Sequence, residues 1–307
     1  MVRVGGHRIE LTTMRRVLIV GDIIDDIVVT PLDRVTRDSD TTSHIRHTPG
    51  GSAANQAAWL GWAGAAVRFV ARVGAADVER HLDELERFGV EAVLIPDPEA
   101  HTGSIVVMLD DDGNRTMYTD RGANLRLTIG DLSPSLLDGI DALHVNGYAL
   151  FSDEPRAAVV TLIEESRRRD IEITVDPCSA AYLAELGAGV FLRCTRGASV
   201  CLPNLDEGRV LTGFSEPADV VAALAEHYAV VALKLGSAGV LVGAGGRVEL
   251  IPSVATSVTD PTGAGDAFCA GFLRAWLDRR NPAEAARRGS ALAARAVGTP
   301  GGRPPVG

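Results

Sequence analysis

Lysine is almost missing from this chain: Lys234 is the only one, and arginine supplies every other permanent side-chain positive charge. Acidic residues outnumber basic ones by 40 to 30, for a formal net charge of −10. Such a chain repels phosphate backbones, which excludes a general nucleic-acid partner. Cysteine is scarce too. Cys178, Cys194, Cys201 and Cys269 form no CxxC pair and have no His-rich partner segment, which excludes a disulfide framework or a zinc site and leaves reduced thiols. No apolar run is long enough to cross a bilayer, and Met1 to Thr13 lack the apolar centre of a secretory signal, so a cytoplasmic protein without a membrane partner is expected. Residues 1–14 read as a flexible leader, with Met1 and Met14 both open as start sites. A GxxxxGK[ST] loop is missing, and the first strand ends in Gly21-Asp22-Ile23 instead of GxGxxG, so neither a P-loop nor a dinucleotide fold is supported.

What is present is an ordinary globular mixture, 46% hydrophobic and 23% charged, in 307 residues. Val17-Leu18-Ile19-Val20 is a continuous aliphatic run, as in a strand covered on both faces. Ile27 to His47 holds short β-favouring pieces broken by Pro31, Asp33 and Ser39. Gly103–Asp110 and Arg115–Thr119 predict a hairpin around Asp111-Asp112-Gly113-Asn114. Together, segments of about 27–48 and 101–122 predict a small β lid inserted into one domain spanning 15–300. Between them come a helix from Pro49-Gly50-Gly51-Ser52 to Gly64, a strand Val67–Val73 and a helix Asp77–Phe88.

After Gly122, strands at Ala142–Val145, Ile171–Val175, Ser199–Leu202 and Val230–Leu235 alternate with helices at Pro155–Arg169, Leu205–Thr212 and Pro217–Tyr228. That order predicts a doubly wound, mainly parallel sheet. Val240–Val242 and Val248–Ile251 add antiparallel strands around a Gly243–Gly246 turn. Helices Ala264–Arg279 and Pro282–Val297 follow, and the Gly- and Pro-rich stretch 301–307 reads as a flexible tail.

Asp260-Pro261-Thr262-Gly263-Ala264-Gly265-Asp266 carries the most chemistry. Small residues at a helix start let backbone N–H groups converge, and the helix dipole adds partial positive charge. Such a nest suits a transferring phosphoryl group, with Asp266 placed to take a proton from an attacking hydroxyl. A lone GAGD turn reads equally as a tight strand-to-helix connection with Asp266 as a helix-end charge. Asp260 and Thr262 beside the same glycines favour the site.

Two separated motifs make the chain resemble the PfkB family of carbohydrate kinases, the ribokinase-like group. Gly50-Gly51-Ser52-Ala53-Ala54-Asn55-Gln56-Ala57 is similar to the family's GG-x-x-x-N signature, and Asp260 to Asp266 is similar to its D-x-x-GAGD signature. The resemblance runs from about Arg16 to about Val297. It implies an α/β fold: a ribokinase-like three-layer α/β/α domain with a mainly parallel central sheet and a small β-sheet lid. It further implies ATP-dependent phosphorylation of a sugar hydroxyl, with Asp266 as general base and the Gly263, Ala264 and Gly265 backbone as anion hole. Asp22, Asp26, Gly50, Gly51, Asn55 and Asn124 would position the acceptor. Asn204, Lys234, Gly236, Gly239 and Thr262 would contact the nucleotide. Glu207 would organise Mg²⁺ through water, and Asp260 matches a position associated with a monovalent cation such as K⁺. Ser52 stands where the ribokinase version has lysine, and Ile24 where it has a polar residue, which weakens ribose as the acceptor. A nucleoside kinase of the same fold is the alternative, and a non-catalytic ligand-binding protein on the same scaffold a remoter one. Exposed lid edges suggest a homodimer through the lid.

Some candidates have competing structural readings. Asn204 and Glu207 also fit a helix capping box. His144 inside a strand reads as a satisfied core histidine. Arg121 reads as a surface arginine, and Asn146, Tyr148 and Asp176 as loop residues at strand ends that could face the cleft.

Overall fold

The structure, a computed structural model, describes residues 3–4, 7–8, 15–110 and 115–305. Its strands are β1 (Arg3–Val4), β2 (His7–Arg8), β3 (Arg16–Val20), β4 (Ile24–Pro31), β5 (Ser43–Gly50), β6 (Ala66–Gly74), β7 (Val90–Asp97), β8 (Gly103–Leu109), β9 (Arg115–Asp120), β10 (Ala142–Asn146), β11 (Glu172–Asp176), β12 (Val200–Cys201), β13 (Val230–Lys234), β14 (Val240–Ala244) and β15 (Arg247–Ile251). The helices are α1 (Ser52–Trp62), α2 (Val78–Glu86), α3 (Asp153–Arg168), α4 (Ala180–Leu186), α5 (Ala188–Cys194), α6 (Leu205–Thr212), α7 (Pro217–Leu224), α8 (Ala264–Arg279) and α9 (Pro282–Ala296).

A nine-stranded sheet in the order β15-β14-β13-β12-β11-β10-β3-β6-β7 forms the centre, parallel from β13 to β7 with β14 and β15 added antiparallel. The aliphatic run in β3 explains its central place. Side chains alternate across a strand, so Val17 and Ile19 enter one core while Leu18 and Val20 enter the other. The first core is closed by α1, α2, α8 and α9, the second by α3 to α7. Fully buried Trp59, Phe69, Phe191 and Phe272 anchor these layers, each contributing roughly 1.5–3 kcal/mol by burial. The lid is a four-stranded sheet, β5-β4-β8-β9, in which β4 leaves β3 through Gly21–Ile23 and pairs parallel with β8. No helix among the described residues is long and apolar enough to cross a membrane.

The three-layer architecture and the lid match the expectation, with local differences. Edge strand β7 went unread because Pro96 near its end mimics a loop; an outermost strand tolerates proline, since one side of it needs no ladder donor. Helices α4 and α5 also went unread, being short and separated by Gly187 at φ 87°. Strand β12 shrinks to two residues, and α7 ends at Leu224, four residues before Tyr228. Most of the leader lies outside the described residues, but Arg3–Val4 pairs antiparallel with His7–Arg8. The tail expectation fails for its first part: Gly302 and Arg303 are buried, and Trp59 Nε1 donates to Gly302 O at 2.9 Å. Glycine there permits close packing and does not confer looseness.

Gly51 caps α1 at φ 87°, and a Cβ at this position would stand 2.8 Å from Ile23 Cα and 2.9 Å from Asp22 O. Gly51→Ala is therefore expected to lower stability by about 2–3 kcal/mol. A lower urea midpoint at unchanged slope is the expected observation, and an unchanged midpoint would show that this turn can relax.

Candidate active site

The carboxyl ends of the parallel strands face one cleft, where open α/β sheets bind ligands. Into it project Asp22 after β3, Asn146 at the end of β10, Asp176 at the end of β11 and Lys234 at the end of β13. Helices α1 and α8 bring their N-termini to the same place. Gly263 caps α8 in the left-handed conformation at φ 75°, so Ala264, Gly265 and Asp266 form the first turn. Ala264 N–H donates to Pro261 O at 3.3 Å, while the N–H groups of Gly265 and Asp266 have no hydrogen-bond partner among the described residues. Unpaired N–H groups at a helix start carry partial positive charge and suit an anion.

Three side chains of α1 hold the Asp266 carboxylate. Ser52 Oγ donates to Oδ1 at 2.6 Å, Gln56 Nε2 to Oδ1 at 3.2 Å and Asn55 Nδ2 to Oδ2 at 3.2 Å. Burial raises the Asp266 pKa to about 7, against the lowering effect of Ser52 and Asn55. A carboxylate poised near neutrality is suited to accept and return a proton.

Behind it, Gln56 Nε2 also donates to Asp176 Oδ2 at 2.8 Å, and Lys234 Nζ donates to Asp176 Oδ1 at 3.1 Å. Burial opposes the Lys234 charge, but Asp176, Cys269 and Glu207 together hold its pKa well above the usual value. Gln56 Oε1 faces His144 Nε2 at 2.9 Å, and His144 Nδ1 faces Thr174 Oγ1 at 2.8 Å. Burial lowers the His144 pKa to about 4, so the imidazole is neutral and donates from Nε2. It is the satisfied core histidine that the strand pattern suggested, and it fixes the orientation of the Gln56 amide.

Two cavities meet at this point. One of about 610 Å³ runs from Asp266 and Ser52 past Lys234, Asn204 and Glu207 to Gly236 and Gly239. The other, of about 240 Å³, lies under the lid and is lined by Asp22, Asp26, Gly51, Asn55, Asp260 and Arg121. Asp266 and Ser52 line both. Asn55 Oδ1 is buried without a partner among the described residues, an acceptor atom suited to a hydroxyl donor.

Most sequence-derived candidates thus gather around one cleft, with some changes of place. Thr262, assigned to the nucleotide, lines the lid-side cavity, and its N–H and hydroxyl donate to Asp260 Oδ1 at 2.9 and 2.6 Å. Asn124, assigned to the acceptor, instead clamps the lid hinge. Its Oδ1 accepts from Ile23 N, and its Nδ2 donates to Ile23 O and Arg121 O, all within 3.0 Å. Gly50 is buried with its Cα against the Asp26 carboxylate. Arg121 is no surface residue: it lies 4.4 Å over the Tyr148 ring and 3.4 Å from Asp22 Oδ2. Asn204 and Glu207 do form the capping box of α6, with Asn204 N donating to Glu207 Oε2 at 2.8 Å and Asn204 Nδ2 to Oε1 at 2.6 Å. Burial raises the Glu207 pKa to about 7.

The sequence reading gives neither Ser52 nor Gln56 a site role, although the signal is present. Together with Asn55 they stand at i, i+3 and i+4, a polar stripe on a helix otherwise built of alanine, tryptophan, leucine and glycine.

The family model for the pfkB family of carbohydrate kinases matches residues 14–306. The chain is 29% identical over 242 residues to an uncharacterised sugar kinase of Archaeoglobus fulgidus, covering 76% of this chain and 92% of that one. It is 29% identical over 305 residues to ribokinase of Bacillus subtilis, covering 95% and 97%. Its fold overlays the crystal structure of adenosine kinase from Sinorhizobium meliloti with a TM-score of 0.86 at 22% identity, covering 95% and 96%.

The buried Asp176–Lys234 pair generates a prediction independent of activity. Lys234→Met leaves a buried carboxylate uncompensated and is expected to cost about 3–5 kcal/mol. Combining it with Asp176→Asn should recover a large part of that loss in chemical denaturation, and additive losses would show that the two side chains do not depend on each other.

Proposed function

We propose a reaction for this chain, which belongs to the pfkB family of carbohydrate kinases and is thus a sugar or nucleoside kinase: transfer of the ATP γ-phosphoryl group to a sugar hydroxyl. The observation that carries this reading is the meeting of two cavities at one carboxylate, Asp266, raised by burial to a pKa of about 7.

The nucleotide occupies the larger cavity, where Lys234, Gly236, Gly239 and Asn204 line its wall. The acceptor occupies the lid-side cavity and gives hydroxyl hydrogens to Asp26 and to the unpartnered Asn55 Oδ1. Asp266 takes the proton of the attacking hydroxyl as its oxygen forms the new P–O bond and the bond to the β-phosphate oxygen breaks. The Gly265 and Asp266 N–H groups face the charge that develops on the transferring group. Family membership implies Mg²⁺, and among the described residues no cluster of three or more His, Cys, Asp or Glu is arranged to hold a metal. This fits an ion carried mainly by nucleotide phosphates, with Glu207 acting through water; bound there, it would neutralise phosphate charge. K⁺ belongs to this proposal through Asp260, whose Oδ2 accepts from Gly301 N–H at 3.0 Å and so ties the loop before α8 to the segment after α9. A homodimer through the lid also belongs here, because Ile45 and Tyr118 stand exposed on its outer face; a solution mass of one chain would remove it.

One observation favours a nucleoside acceptor as the second reading. The lid side of the acceptor cavity is aliphatic, with Val28, Ile105, Val107, Leu109 and Met117, and Tyr148 lies opposite. Such a surface suits a planar base better than a polyol.

ADP release with Mg-ATP across a panel of sugars and nucleosides tests the reaction. Turnover with an acceptor is expected to rise with pH through about 7, because the base must lose its proton. Asp266→Asn is expected to lower kcat by about 10²–10⁴. Ser52→Ala removes a hydrogen bond that lowers the Asp266 pKa, so its acid limb should move to higher pH. Undiminished turnover in Asp266→Asn would remove that residue from its role.

A further inference from the structure

The segment after α9 is stapled into the acceptor site at three consecutive residues. Gly301 N–H donates to Asp260 Oδ2 at 3.0 Å. Gly302 O accepts from Trp59 Nε1 at 2.9 Å, and the Gly302 backbone packs directly on the Asn55 amide, so that a Cβ there would stand 2.5 Å from Asn55 Nδ2. Arg303 is only 7% exposed; its Nη1 donates to Glu84 Oε2 at 3.3 Å and its Nη2 to Gly50 O at 3.4 Å. Pro300, Gly301 and Gly302 line the lid-side cavity.

Three carboxylates cluster between β3 and the first turn of β4, and their compensation is uneven. Asp22 has Arg121 at 3.4 Å, and Asp25 has Arg80 in a two-pronged contact at 2.8 and 2.7 Å. Asp26 has no ion pair of its own among the described residues. Its Oδ2 lies against Gly50, where a Cβ would stand 2.3 Å away, and the Arg303 guanidinium binds the carbonyl of the same glycine. Arginine buried this deeply is costly unless its charge is compensated, and Glu84 at 3.3 Å is its one ion-pair partner among the described residues. Its Nε has no partner among the described residues, so hydrogen bonding alone does not account for its place.

We propose that Arg303 is a positioning residue of the acceptor site: latched to Gly50 and Glu84, it fixes Pro300–Gly302 as one wall of the cavity and sets a positive charge behind Asp26. The inference rests on the assignment of Asp26 to the acceptor. Charges facing Asp26 are Asp22 from the strand end, Asp25 on its own strand, Arg303 from the tail, and Asp266, Arg46 and Arg121 around the cavity; Arg80, His81 and Glu84 of α2 stand behind Arg303. Burial raises the Asp26 pKa to about 7, Asp22 and Asp25 raise it too, and Arg303 lowers it. Burial in turn lowers the Arg303 pKa to about 10, so it remains charged at neutral pH. Removing its charge shifts Asp26 toward the protonated form, which accepts hydroxyl hydrogens less well.

The test titrates ¹³C-carboxyl-labelled aspartate by NMR in the full chain, with the Asp26 signal assigned from Asp26→Asn. In Arg303→Met the Asp26 midpoint is expected to rise by about 1 pH unit, and in Arg303→Lys to stay near wild type. Arg303→Gln, which can keep the contact to Gly50 without the charge, should behave like Arg303→Met and serves if the methionine variant fails to fold. This arm needs no substrate and so stands even if the kinase reading fails. Kinetics then follow with whichever sugar or nucleoside in the panel turns over. Arg303→Met is expected to raise the acceptor KM about tenfold at pH 7 with the ATP KM nearly unchanged, and to add little in an Asp26→Asn background. An unmoved Asp26 titration in a folded charge-free variant, or equal rises in both KM values, would overturn the proposal.

Discussion

A carboxylate that must be dry enough to bind a proton near neutrality, yet held in one orientation, constrains much of this molecule. Burial alone would leave Asp266 protonated and mobile. The three donors from α1 oppose that tendency and fix both oxygens. They can do so only if α1 and α8 start side by side, which explains why both helices open on glycines with positive φ. The tight packing of α1 on α8, rich in alanine and glycine, thus sets the orientation of this carboxylate as well as the core.

Charge is distributed with the same economy. Burying several carboxylates in one cleft raises their pKa values through desolvation and mutual repulsion. Here three of them have a specific counterweight: Lys234 for Asp176, Arg121 for Asp22, Arg80 for Asp25. Gln56 joins two of these systems by donating to Asp176 and Asp266 at once, and neutral His144 sets its amide orientation. A protonated His144 could still donate to Gln56 but not accept from Thr174, so burial that keeps it neutral preserves the whole chain of hydrogen bonds.

The sheet, the lid and the two glycine motifs were legible because each has a local cause. Aliphatic runs make buried strands, proline and aspartate break the lid strands, and GAGD opens a helix. Edge strand β7 was hidden by Pro96, and α4 and α5 by their brevity. Within the site, Asp266, Asp26 and Asn55 follow from motif position, whereas the Asp176–Lys234 pair joins residues 58 positions apart and has no sequence signal. Asn124 carries a contact that its motif position does not announce: the backbone of Ile23 and Arg121 engages both ends of its amide.

Glycine in the segment after α9 is hard to read from composition. A Gly-Gly pair before a charged residue and two prolines has the composition of a loose tail, and composition cannot distinguish a segment that lacks contacts from one whose contacts need the missing side chain. Gly50 and Gly302 are of the second kind, since each removes a Cβ exactly where a site side chain, Asp26 or Asn55, comes closest. The two glycines lie far apart in sequence, and Arg303, next to Gly302, reaches the carbonyl of Gly50. The lid-side cavity therefore takes one wall from Pro300–Gly302, so its geometry depends on the segment after α9 as well as on the two motifs.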